Sequence, residues 1–130
     1  MKRDRTMQIG LLEDDTAIQE MLLLVLQDAG YSVKSYPTAN DCLDALFSDA
    51  REQKVSPIDL LIVDWRLAGS VSGIEVIRAL RASETYATLP IILTTAATFP
   101  SDEELRDMHV ALLEKPFAVD EVINLIKSLI

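Results

Sequence analysis

The chain has 130 residues, 49% of them hydrophobic, and a formal net charge of −9. That length fits one domain with a single core, and the acidity argues against direct nucleic-acid binding, which normally begins with a basic face. Cys42 stands alone, so no intramolecular disulfide is expected, and Met1-Lys2-Arg3-Asp4-Arg5-Thr6 has no apolar run. The expectation is a cytoplasmic chain without signal peptide or membrane span.

Five strand-then-helix units follow one another, the pattern of a parallel sheet with helices on both faces. Residues 9–12 are the first apolar strand, and Thr16 with Gln19 has the form of a capping box. The helix it opens carries Ile18, Leu22, Val25 and Leu26 on one face, and Gly30 is placed to stop it. Residues 31–36 alternate as a more exposed strand, which suits an edge. Thr38 caps a second helix with Cys42, Leu43, Leu46 and Phe47 inward, and the polar residues 50–57 read as a loop. A strand over 58–63 leads into a long connection, 64–72, containing Gly69, and then a helix over 73–82 buries Val76, Ile77 and Leu80. Residues 90–94 form a strand whose proline is tolerated at its start. Ser101 with Glu104 opens a short, thinly apolar helix, residues 111–113 are the last strand, and Val119, Val122, Ile123, Ile126 and Ile130 stripe the final helix.

The apolar runs end in polar residues of a particular kind: Glu13 and Asp14, Asp64, Thr95 and Lys115. If the runs are parallel strands, these ends face one crevice, where open α/β sheets bind ligands. Like charges about 4 Å apart repel by roughly 4 kcal/mol at an effective dielectric near 20, so gathered carboxylates need a cation or a proton. Magnesium, which takes oxygen ligands and keeps several waters, suits Glu13, Asp14 and Asp64. A carboxylate also serves as a nucleophile toward phosphorus, with metal and lysine neutralising the charge. Taken singly the residues are ordinary: a strand-end cap, a solvated acidic pair, a surface lysine, a strand threonine. Cys42 reads as a small core residue, His109 as a loop residue, and Trp65 as packing beside the crevice or partly exposed.

Leu11-Leu12-Glu13-Asp14-Asp15, Ile62-Val63-Asp64, Pro90-Ile91-Ile92-Leu93-Thr94-Thr95-Ala96 and Lys115-Pro116-Phe117, in this order, resemble the receiver domain of two-component response regulators over nearly the whole chain. The resemblance implies a single flavodoxin-like (βα)5 domain over residues 8–130, after a flexible segment 1–7, with a five-stranded parallel sheet of order 2-1-3-4-5. It implies that Asp64 is the phosphoacceptor, that Asp14 binds Mg²⁺ directly and Glu13 through water, and that the backbone carbonyl of Arg66 is a further ligand. Lys115 would then pair with the phosphoryl oxygens and Thr95 would donate its hydroxyl to them. Asp15 is left as a helix-start charge, and the Lys115–Pro116 bond is expected to be cis.

The partners implied are a histidine kinase or phosphotransfer protein as donor and a downstream effector protein or domain. They act through a surface of the fourth helix, fifth strand and fifth helix, residues 101–130, which also offers a homodimer contact. The expected role is a signalling switch rather than a metabolic enzyme. Several positions depart from the family: Ala68 where a proline is usual, Gly73 one position late, Leu112 where an aromatic commonly reports the switch, and a short stretch from Thr95 to Lys115. Arg66 and Ala97 occupy positions that tune phosphoryl hydrolysis. The alternative is a degenerate receiver that binds partners without phosphorylation. An aspartate-nucleophile phosphohydrolase ranks last, because Arg66 stands where a second aspartate is needed.

Overall fold

Ile, Val and Leu occupy successive rather than alternate positions in most of the apolar runs, which is what a strand covered on both faces requires. The computed structural model describes residues 6–53, 56–66, 72–95 and 106–130. In it these runs form β1 (Gln8–Leu12), β3 (Leu60–Asp64), β4 (Ile91–Thr95) and β5 (Ala111–Glu114), with the more polar β2 (Ser32–Ser35) at one edge. All pairings are parallel and the order is β2-β1-β3-β4-β5, the flavodoxin-like sheet that the resemblance implied.

Period-two alternation sends neighbouring strand residues into opposite layers. Ile9, Leu11, Leu60, Ile62, Ile92 and Leu113 pack against Leu22 and Leu26 of α1 (Thr16–Asp28) and Val122 and Ile126 of the C-terminal helix (Val119–Leu129). On the other face Leu12, Leu61, Val63, Ile91 and Leu93 meet Cys42 and Leu46 of α2 (Ala39–Gln53) and Val76, Ile77 and Leu80 of α3 (Gly73–Arg81). The Arg81 guanidinium donates to the carbonyls of Tyr86, Met108 and His109 at 2.8, 2.8 and 2.9 Å, tying the end of α3 to the segments that enter β4 and β5. No helix among the described residues is long and apolar enough to cross a membrane.

Several boundaries differ from the sequence reading. The N-cap of α1 is Asp15, whose carboxylate accepts the Ile18 N–H at 3.1 Å; its carbonyl already accepts the Gln19 N–H, so the helix begins one residue before Thr16 can cap it. At the other end Gly30 adopts φ 97°, and the Tyr31 and Gly30 N–H groups donate to Leu26 and Gln27, a Schellman stop that a Cβ would oppose. Helix α2 continues to Gln53, through residues read as loop: Ala50, Arg51, Glu52 and Gln53 are good helix formers, and loss of the apolar stripe does not end a helix. Strand β3 starts at Leu60 and strands β3, β4 and β5 each end one residue later than read, so Asp64 and Thr95 are the last residues of strands and not the first of loops. Val119 and Ile130, placed on the buried stripe, are 46% and 48% exposed at the two ends of the C-terminal helix. Ala68, Gly69, Ala97, the helix expected from Ser101 with Glu104, and most of the segment 1–7 lie outside the described residues.

Helix α3 begins against the site. Ser72 and Glu75 form a capping box, and the Gly73 N–H donates to the Trp65 carbonyl at 3.3 Å. A Cβ on Gly73 would sit 2.1 Å from the Asp64 carbonyl oxygen, so only glycine permits this approach. Gly73→Ala is therefore expected to lower stability by about 1–3 kcal/mol in urea unfolding, by overpacking. An unchanged or higher midpoint, the usual outcome of Gly→Ala in a helix, would contradict that placement.

Candidate functional site

Three strands deliver one charged group each to the C-terminal edge of the sheet. Glu13 follows β1, Asp64 ends β3, and Lys115 follows β5. Lys115 Nζ lies 3.3 Å from Asp64 Oδ1 and 3.4 Å from both carboxylate oxygens of Glu13. Both acids are buried, at 5% and 6% exposure. The lysine contacts are long beside the roughly 2.7–2.9 Å of a tight ion pair, as expected of one ammonium divided between two carboxylates.

The electrostatics of the cluster are strained. Glu13 Oε2 also accepts the Asp15 N–H at 3.1 Å, while the buried Oε1 has no hydrogen-bond partner. Burial pushes the Glu13 carboxyl from 4.5 up to about 7, and the neighbouring Asp64 adds to the rise; the Asp15 N–H and Lys115 only partly offset it. One ammonium thus leaves two buried carboxylates undercompensated. A buried carboxylate oxygen that accepts no hydrogen bond and an all-oxygen acidic donor set fit a hard divalent cation such as Mg²⁺.

The remaining expected residues are placed less centrally. Asp14 is exposed and engaged in an interaction of its own, and among the described residues no group of three His, Cys, Asp or Glu side chains lies close enough together for a metal ion. Arg66 is exposed just past β3. Thr95 is buried at the end of β4, its carbonyl accepting the Lys115 N–H at 2.6 Å. Alternation puts its side chain with Ile91 and Leu93, on the α2/α3 side, whereas Asp64 follows Leu60 and Ile62 to the α1 side. The Lys115–Pro116 bond is cis, as the resemblance implied. Trp65 is half-buried against the α2/α3 core, Cys42 is buried with its thiol pushed up to about 12 by burial, and His109 is an exposed loop residue at φ 54°.

Two features were not found from the sequence. A hollow of about 410 Å³ lies between Ile18 and Met21 of α1 and Lys115, Pro116 and Phe117, so the lysine is flanked by an apolar recess. Thr94, the Cα partner of Asp64 in β4, is fully buried with an unpartnered hydroxyl. The only trace in the sequence is a second threonine inside an apolar run.

The description "Response regulator receiver domain" matches residues 9–127. The chain belongs to the response regulator receiver family. This receiver is 30% identical to the phosphate regulon transcriptional regulatory protein PhoB of Pseudomonas aeruginosa, over 94% of this chain and 51% of that protein. Among solved structures it is similar to the chemotaxis response regulator CheY4 of Vibrio cholerae, with a TM-score of 0.79 at 25% identity, covering 97% of this receiver and all of that chain. The receiver domain of a sensor histidine kinase from Pseudomonas aeruginosa, solved with a magnesium ion coordinated in its active-site cleft, gives 0.77 at 26% identity, covering 96% and 98%. The receiver spans about half the length of the curated relatives it matches.

Charge crowding in this receiver has a measurable sign. A carboxyl whose folded pKa lies above its unfolded one loses the protein stability as pH rises between the two, here from 4.5 to about 7. In metal-free buffer Glu13→Gln is expected to raise unfolding free energy by about 1–3 kcal/mol at pH 8 and by nearly nothing at pH 4. Equal gains at both pH values would show that charge is not the cause.

Proposed function

We propose that this receiver accepts a phosphoryl group on Asp64 from a histidine kinase or phosphotransfer protein, with Mg²⁺, and relays it by changing the surface of residues 101–130. The observation that carries this reading is the undercompensated cluster of Glu13, Asp64 and Lys115 at one sheet edge. Glu13, Asp14, Asp64 and the backbone carbonyl of Arg66 would hold the ion. When bound, Mg²⁺ supplies positive charge that offsets the charge building on the transferring group.

The chain's own residues divide the remaining work. An Asp64 carboxylate oxygen is the nucleophile, held near the crevice by Lys115 at 3.3 Å. Phosphorylation adds about −1.5 to −2 charge and three acceptor oxygens, and Lys115 then has a stronger partner than either carboxylate. Thr95 starts on the far side of the β4 edge, so its hydroxyl reaches the new group only if that edge turns. A turn of that edge is passed to β5, its neighbour, and the surface of residues 106–130 changes with it. A charge-assisted hydrogen bond of about 1.5–3 kcal/mol is enough for a tenfold to hundredfold population shift.

The exposed Leu112 and Val119, 39% and 46% accessible, give that surface an apolar component suited to an effector or a second copy of the chain. Because the curated relatives are about twice as long, the output is assigned to another domain or protein. With a formal charge of −9 this segment is not itself the nucleic-acid contact. The cytoplasm is the compartment proposed, in keeping with the reduced core thiol of Cys42.

Beryllofluoride with Mg²⁺ should change the fluorescence of Trp65, next to the acceptor, in wild type and leave it unchanged in Asp64→Asn. No Mg²⁺-dependent change in wild type would favour the phosphorylation-independent interaction module instead. Lys115→Ala should still be modified by acetyl phosphate, yet lose the accompanying change in amide exchange over residues 106–114. A lysine with a purely structural role would not separate the two readouts.

A further inference from the structure

We propose that the Thr94 hydroxyl is a second switch hydroxyl of this receiver, a positioning group that is orphaned at rest and satisfied when Asp64 is modified. The inference rests on the reading of Asp64 as phosphoacceptor. Thr94 is 0% exposed and its Oγ1 has no hydrogen-bond partner. Buried polar groups are almost always paired, and an unpaired one opposes folding. Valine would fill the same space in an otherwise apolar strand without that penalty. A group that breaks the local rule in this way is most often found at a functional site.

Its position says which atom it serves. The register pairs Thr94 with Asp64 on one side and with Leu113 on the other. Alternation places the side chain with Ile92, in the α1 layer, on the face shared by Asp64 and Leu113. Neighbouring strands lie about 4.8 Å apart, so a rotation about χ1 brings a threonine hydroxyl within reach of the adjacent carboxyl group. Lys115 follows Leu113 by two residues and reaches Asp64 Oδ1 at 3.3 Å from the other side of β4.

Level with Asp64, and not one residue beyond it, Thr94 reaches the carboxyl oxygens and not the phosphorus farther out. At rest Lys115 holds Oδ1. Once one carboxylate oxygen carries the phosphoryl group and Lys115 turns to the phosphoryl oxygens, the acyl oxygen that Asp64 keeps, which would face the ion, loses the lysine as hydrogen-bond donor. Thr94 replaces it. Because this bond forms only in the modified state, it biases the equilibrium toward that state. Two adjacent threonines thus act from opposite faces of β4: Thr95 on the phosphoryl group and Thr94 on the acyl oxygen.

Thr94→Val and Thr94→Ser test this in the full chain. Without metal, Thr94→Val should be at least as heat-stable as wild type, since it removes only an orphan. Its affinity for beryllofluoride in saturating Mg²⁺ should fall about three- to tenfold, the effect of one neutral hydrogen bond, with Mg²⁺ affinity unchanged. Thr94→Ser should recover wild-type affinity. In infrared spectra the acyl-phosphate C=O band should move to higher frequency in Thr94→Val only. Equal beryllofluoride affinity in wild type and Thr94→Val overturns the inference while leaving Asp64 as acceptor, and so does a metal-free Thr94→Val protein of lower stability, which would mean the hydroxyl is already satisfied. A wild-type chain that gives no Mg²⁺-dependent response removes the underlying reading, and this inference with it.

Discussion

One lysine shared by two buried carboxylates is the constraint on which the rest of the structure depends. Lys115 stands 3.3–3.4 Å from Glu13 and Asp64, too far to neutralise either fully, in a crevice where both acids are nearly inaccessible. Left alone this arrangement raises the Glu13 pKa and opposes folding. On the reading proposed above, a cation would relieve the acids and a phosphoryl group would give the lysine a better partner, so the instability of the resting cluster would be the source of its chemistry.

The fold supplies this cluster through register and alternation. Parallel pairing puts the C-terminal ends of β1, β3 and β5 at one edge, and period-two alternation selects which side chains share a face. A one-residue slip of β4 would exchange Thr94 and Thr95 between faces. Contacts on the far side fix the edge in turn: Gly73 lets α3 press against the Asp64 carbonyl, the Trp65 N–H donates to Thr94 at 2.8 Å, and the Lys115 N–H donates to Thr95 at 2.6 Å. The backbone on either side of Asp64 is thereby held.

Most of the fold was legible because its signals are one-dimensional. Apolar runs, the Gly30 stop and the four strand-end motifs gave five parallel strands and the order of elements. What sequence could not give depends on geometry between strands. Asp15 displaced Thr16 as cap because its carbonyl was already in the helix, and α2 outran its apolar stripe on helix-forming residues alone. In the site, neighbours in sequence part in space. Asp14 is exposed while Glu13 is buried, and among the described residues no three acids lie close together; Thr94, given no role of its own beside Thr95, is the Cα partner of Asp64. The signal for the second was present as a threonine in a run of Ile and Leu, but only the register gave it meaning.

The most direct test of the central claim is chemical. Incubation of the chain with acetyl phosphate and Mg²⁺, followed by intact mass and peptide mapping, should show a gain of one phosphoryl group located at Asp64, lost on chelation of Mg²⁺ before reaction and absent from Asp64→Asn. A chain that gains no mass under these conditions, or gains it at another residue, would contradict the account.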